Sequence, residues 1–495
     1  MTIGTHSPPS SKGGDMGWVG AGLVMFGFAA PSAVVGVAYS IGSTGLVFGP
    51  IACVLTTLAS ALGAMFLHSM TLQHKENNMP ALGLKIRGNT GYVIGLFVQQ
   101  GNFLLYLPVA LLCVANALQG CIDPDGSMLD CDDYWIFVVA IFCFATTQLR
   151  DLNNVNALSY VSLACVVAVI FSALQVVSSV PNEDKSGNSL VREASWFGNP
   201  DMSSDDDEDK KKAWVVFMLG LSMCAWAYVP SFLTVELANP KDVILTRRCS
   251  SQVMENPEDF PKAILLSAAL NVVVYLSVGL YVVVQWGWTV EDPIMFGVAE
   301  NSYLWPSDDL RSKLLNFFWL VACVISYALD SIPLGRQFQR HWAPEFDVDD
   351  FSPLACVKYM FYTSPTIILG VAMAVFIPSL FCMLAVGTAL TVPFANMIFP
   401  AWLYKFEARN VIEKEKKDSS QALLEDDGEG EGGEVLRLSI KYRRQLPYEW
   451  AVPFVAAMGW LVFVVCAWGA FGKLAISDLR GPLVVGCGSW EFLNE

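Results

Sequence analysis

The stretch "GFAAPSAVVGVAYSIGSTG", residues 27–45, decides how the chain is read. It belongs to an uncharged run from Gly17 to Gly42 that is long enough to cross a bilayer as a helix. Yet Pro31, Ser32 and Gly36 sit near its middle. A proline in a helix removes one N–H donor and frees the carbonyl four residues earlier. In hydrocarbon no water is available to either group. Such a break persists only where protein or a water-lined cavity satisfies the backbone. Two readings stand at this point: a simple proline kink, or a helix unwound over residues 31–36.

The rest of the composition agrees with a membrane setting. Of 495 residues, 54% are hydrophobic and 15% charged, against roughly 25% charged in ordinary soluble domains. The apolar residues fall in long blocks rather than at helical or strand periods. About 20 apolar residues make one span, and by that rule eleven are read. They cover 17–42, 46–68, 91–118, 134–149, 155–180, 213–238, 262–287, 313–335, 358–377, 379–404 and 449–472. The net charge of −16 collects in loops such as "SSDDDEDKKK" (203–212) and "LLEDDGEGEGGE" (423–434), which read as solvated connections.

Placing the N-terminus in the cytoplasm puts 21 of the 30 Lys and Arg on the cytoplasmic side, as the positive-inside rule requires. The segments are then a cytoplasmic tail (1–16), a first five-helix unit (17–180), an acidic extracytoplasmic loop (181–212) and a second five-helix unit (213–404). A charged cytoplasmic loop (405–447), an eleventh helix (448–472) and an extracytoplasmic tail (473–495) complete the chain. Residues 1–16 are polar and the first apolar run is too long for a cleaved signal, so none is expected. The loop "CIDPDGSMLDC" faces outside in this scheme, where a Cys121–Cys131 disulfide can persist. The other cysteines mostly sit inside apolar runs as small packing residues. Neither a metal-ligand spacing nor a hydrolytic constellation occurs, so no metal, cofactor, nucleic acid partner or enzymatic activity is expected.

The interruption in the first span has a counterpart. Span six reads "MLGLSMCAWAYVPSFLTVELANP", with Pro230 deep in it beside Tyr228 and Ser231. "MFGF" (25–28) and "MLGL" (218–221) occupy like places in the two spans. Because five is odd, the second unit enters the membrane from the opposite side. Two interrupted helices, each first in its half, are the pattern of an inverted-repeat transporter. An unwound segment at residues 31–36 would leave a half-helix starting near Gly36, its N–H groups turned toward an anion such as a carboxylate.

Several segments then carry a resemblance in chain order. "GVAYSIGSTGLVFGPI" (36–51), "CAWAYVPSFLTVELANP" (224–240), "DFPKAILLSAALNVVVY" (259–275), "ISYALDSIP" (325–333) and "FIPSLFCMLAVGTAL" (376–390) resemble the amino acid/auxin permease family. That family lies within the amino acid–polyamine–organocation superfamily. The resemblance implies an all-α integral membrane protein of eleven transmembrane helices. It implies a five-plus-five inverted repeat of the LeuT-like kind, with helices one and six broken. It also implies secondary transport of amino acids or related small molecules, driven by a proton or sodium gradient, with substrate between helices one and six and with three and eight lining the site. The substrate residues would be Ser32, Ala33, Val34, Gly36, Tyr106, Tyr228, Ser231 and Tyr327.

Two departures bear on substrate pose and coupling. "PSAVVG" (31–36) replaces the family's Gly-rich stretch, and Gly27 stands where sodium-coupled members have Asn. Pro31 removes one N–H from the anion cradle, which disfavours a standard α-amino acid pose, and Gly27 disfavours sodium coupling, which leaves the proton. Asp330 is the one acid well inside a span, one turn from Ser326 and Tyr327. Intramembrane acids face the bundle interior and mark ion or proton paths. Asp330 with Ser326 is therefore read as a coupling-ion or proton site, or as a cap near the helix end before Pro333 and Arg336. Gln99, Asn102 and Tyr106 share one face of span three. The expected function is a proton-coupled transporter of an amino acid-like solute in the plasma membrane or a vacuolar/lysosomal-type membrane. A non-transporting sensor of the same fold is the alternative.

Overall fold

A computed structural model describes residues 17–76, 78–122, 132–148, 152–179, 195–197, 207–226, 228, 256–286, 310–347, 350–376, 387–425 and 447–476. The described chain is α-helical. In chain order the helices are α1 (Trp18–His74), α2 (Met79–Ile122), α3 (Asp132–Thr147), α4 (Leu152–Ser179) and α5 (Asp207–Trp226). They continue with α6 (Phe260–Trp286), α7 (Leu310–Trp342), α8 (Pro353–Phe376), α9 (Phe399–Glu425) and α10 (Val452–Ile476). Six helical stretches among the described residues are long and apolar enough to cross a membrane. Large apolar side chains such as Phe97 and Phe471 are exposed along these helices, and Ile141 and Phe171 along α3 and α4, the surface a lipid environment requires.

A straight helix of 57 residues would be about 85 Å long, far beyond a bilayer of about 30 Å. Gly45 resolves this. Its φ of 89° and ψ of 161° turn the chain, so spans one and two form the two arms of α1. A side chain rarely adopts this φ, and glycine does so without steric cost. The turn exposes backbone donors at the start of the second arm. The N–H groups of Leu46 and Val47 donate to the carbonyls of Ser195 (3.0 Å) and Trp196 (3.1 Å). A piece of the acidic loop thus caps the second arm.

The expected unwinding at residues 31–36 does not occur: the backbone there is helical, and Gly45 is the non-helical residue inside α1. The reason lies in a neighbouring helix. Pro31 frees the carbonyl of Gly27, and the buried hydroxyl of Ser162 in α4 donates to that oxygen at 3.2 Å. With its orphan acceptor satisfied, the helix continues past the proline. Ser162→Ala should lower stability by about 1–3 kcal/mol, the cost of an unpaired buried acceptor. Thermal unfolding in detergent checks this, with Ser162→Thr retaining most of the stability.

The expected break of the sixth span around Pro230 lies outside the described residues. α5 stops at Trp226, four residues before Pro230, and Tyr228 is outside any regular element. The first arm of α1 packs on α5 through small residues. Ser40 Oγ donates to the Gly220 carbonyl at 2.5 Å, and a Cβ on Gly220 would collide with Ser43 Oγ. Thr56 Oγ1 of the second arm donates to the Cys224 carbonyl at 3.0 Å. Close approach through small residues with hydroxyl bonds is how membrane helices associate, because lipid removes the hydrophobic drive between them.

Two segments read as loops are helical. Residues 79–87 form a short helix that Gly88 (φ 66°) folds back on the following arm of α2. Its first donor, the Met79 N–H, is taken by Gln99 Oε1 at 3.1 Å. α9 runs on to Glu425, so the first part of the 405–447 segment is helical. Ahead of α9, residues 394–398 form a π-helical turn whose wider coil brings the Asn396 carbonyl against Gly63 of α1.

Candidate functional site

Helices α2 and α7 meet in an antiparallel seam with a seven-residue step. Gly120 lies against the Asn316 side chain. Seven residues along each helix, the buried Cys113 and Cys323 thiols lie within hydrogen-bonding reach. Seven further, Tyr106 and Asp330 line one cavity. A period of 3.5 keeps one face of each helix on its partner. This repeat carries Asp330 inward and sets Tyr106 opposite it.

The cavity holds about 20 Å³, room for a single water. Its polar wall is Asp330, Ser326 and Tyr106, and Trp226 closes it from the end of α5. Val109, Ala110, Cys113 and Cys323 complete it. The Tyr106 and Trp226 rings stack with centroids 4.1 Å apart and planes 17° from parallel. Asp330 is 1% exposed, and neither of its carboxylate oxygens has a hydrogen-bond partner among the described residues. Pro333, inside α7, lacks the N–H that would bond the Leu329 carbonyl, next to Asp330 in the chain. An ionised carboxylate in such a place is costly unless a proton or a cation joins it.

The structure brings together three of the expected residues: Tyr106, Ser326 and Asp330. Tyr327 is buried nearby, within electrostatic range of Asp330 and of Cys143 in α3, but is not part of the cavity wall. Tyr228 points elsewhere: its hydroxyl pairs with Ser267 Oγ at 2.7 Å and donates to the Ile264 carbonyl at 3.1 Å, both in α6. Gly36 is part-buried, and a Cβ there would lie 4.0 Å from Met223 Sδ of α5. The side chains of Ser32, Ala33 and Val34, and the whole of Ser231, lie outside the described residues. So does Cys131; Cys121 Sγ sits 3.8 Å from the Lys313 carbonyl.

Sequence reasoning missed Trp226, Cys113 and Cys323. The signal for the cysteines was present: each lies seven residues from Tyr106 or Asp330. Trp226 and Tyr228 are two residues apart, so on a helix they point to nearly opposite sides. The structure gives Trp226 to the cavity and the Tyr228 hydroxyl to α6.

A bundle of apolar helices around a small, acid-bearing cavity marks an integral, multi-pass membrane protein. The sequence pattern of the transmembrane amino acid transporter protein family matches residues 16–421. The chain belongs to that family, and is a membrane transporter by family rather than an enzyme. No curated protein matches the sequence. Among solved structures, the fold is similar to Mhp1, a nucleobase-cation-symport-1 family transporter, solved in a closed conformation with bromovinylhydantoin bound. The TM-score is 0.52 at 12% identity, over 97% of this chain and 98% of that one, so the likeness is one of fold.

Proposed function

We propose that the protein is a secondary active transporter of amino acids or related small solutes, working by alternating access and coupled to a proton gradient. The observation that carries this reading is Asp330, a buried carboxylate lacking a described partner, in a small cavity where α2, α5 and α7 meet. A transporter of this kind needs one group that takes up and releases a cation out of contact with bulk water. The eleven spans form two five-helix units of opposite topology plus a final helix, with the N-terminus cytoplasmic and the C-terminus extracytoplasmic. The membrane is the plasma membrane or a vacuolar/lysosomal-type one. Gly27 in place of an Asn, its carbonyl already occupied by Ser162, favours the proton over sodium.

Tyr106 and Trp226 join α2 to α5, so parting their stack opens the cavity. Rocking of one helical unit against the other then exposes Asp330 to each side in turn. Purified protein in proteoliposomes, given labelled amino acids under a proton gradient of either direction, should show uptake that collapses with the gradient. Uptake driven by an imposed sodium gradient instead would overturn the coupling.

A second reading draws on α9. It continues as one helix from the membrane to Glu425, a stiff arm that a solute sensor could use as output. Solute binding without flux would favour it.

A further inference from the structure

We propose that Asp330 anchors an organic ammonium group, which makes amine-bearing solutes the substrate class and the solute's carboxylate dispensable. This rests on the carrier reading and names the chemistry that its cavity recognises: the ammonium and the coupling proton occupy Asp330 in turn, so solute and proton exchange across the membrane.

The cavity wall supplies the chemistry. Both Asp330 oxygens lack a partner among the described residues, so the site has acceptor capacity for a donor-rich cation. An ammonium head is about the size of the single water that the cavity can hold, and brings three N–H donors. Ser326, one turn before Asp330, adds a hydroxyl to the same space. The Tyr106 and Trp226 rings, stacked on each other, form its aromatic wall. An inorganic cation fits less well, since hard cations prefer a full set of oxygen ligands, and much of this wall is ring, methyl and thiol. A carboxylate head is repelled, because it would place a second negative charge against Asp330 in a low-dielectric setting.

The expected anion cradle at residues 31–36 adds a positive observation. The backbone there is helical, so its N–H groups are committed to the helix. The described site offers instead an acceptor for a cation. Anything longer than the head needs the walls to part, and the Tyr106–Trp226 stack joins two of the helices that must move.

The test uses the full chain in detergent and reads its thermal unfolding on addition of n-propylammonium chloride, sodium propionate or sodium chloride at equal ionic strength. Ligand binding to the folded state raises the midpoint with concentration. Propylammonium should give a saturable rise in the wild type, propionate and sodium chloride none. Asp330→Asn should abolish the rise, and Asp330→Glu should keep a weaker one. A rise that persists unchanged in Asp330→Asn, an equal rise with sodium chloride, or none with propylammonium would overturn the anchor. Should Asp330→Asn not fold, the wild-type ranking of the three salts decides alone. Amino acid flux with amine binding indifferent to Asp330 refutes the anchor and keeps the carrier. Binding at Asp330 without flux of any amine keeps the anchor and refutes the carrier.

Discussion

Replacing Asp330 with Asn should make uptake the same with and without the gradient, while the protein stays folded. The two halves of this result have one cause. A buried carboxylate whose oxygens lack described partners contributes little to holding α7 in place. An Asp at the centre of a span costs about 2.5–3.5 kcal/mol on insertion scales, and Asn removes the charge at nearly constant volume. The unfolding midpoint in detergent should therefore not fall. Losing the interaction between the carboxylate and its cation, worth about 1.5–3 kcal/mol for a bond to a charged group, should cut gradient-driven uptake roughly 10- to 100-fold. If Asp330 were a helix cap, the variant would lose stability and keep its gradient dependence. Parallel unfolding and flux measurements on the same preparation separate the two roles.

Gly63→Leu should have the largest effect on folding. Gly63 lies on the second arm of α1, where a Cβ would collide with the Asn396 carbonyl in the π turn before α9. That obstacle is backbone, and it is held by the irregular coil of residues 394–398. It cannot swing aside as a side chain would. Overpacking a tight contact costs about 1–3 kcal/mol, and here the added bulk also pries α1 from the π turn. A drop in the fraction of monodisperse protein after extraction, together with a lower unfolding midpoint, is the expected outcome. Leu58→Ala is the control: Leu58 is exposed on the same arm, facing outward, and its loss should change little. Equal behaviour of the two variants would show that the Gly63–Asn396 contact is dispensable.

Much was legible before any fold was known. Length and apolarity marked the spans, and α3, α4, α6, α8 and α10 begin and end within a few residues of them. The lone intramembrane acid pointed to the site, because a charge in hydrocarbon is retained only against its own cost. Tyr106 and Ser326 came from helical spacing. The errors cluster where the answer depends on a distant segment. Pro31 reads as a break, yet Ser162, far along the chain, supplies the missing partner for Gly27. Residues 43–45 read as the connection between spans one and two, and Gly45 does turn the chain there, but only the fold shows that Ser195 and Trp196 cap the second arm of α1.

By itself, then, the amino-acid order determined that this is an integral membrane bundle with two proline-bearing first helices and one acid well inside a span. Those features are local or compositional, and hydrocarbon enforces them residue by residue. The tertiary structure alone decided that the first helix runs on through Pro31, which aromatic lines the cavity, and which groups face Asp330. Each of these depends on whether a backbone or side-chain polar group finds its partner on another helix, and α2, α4, α5 and α7 meet only once the chain has folded.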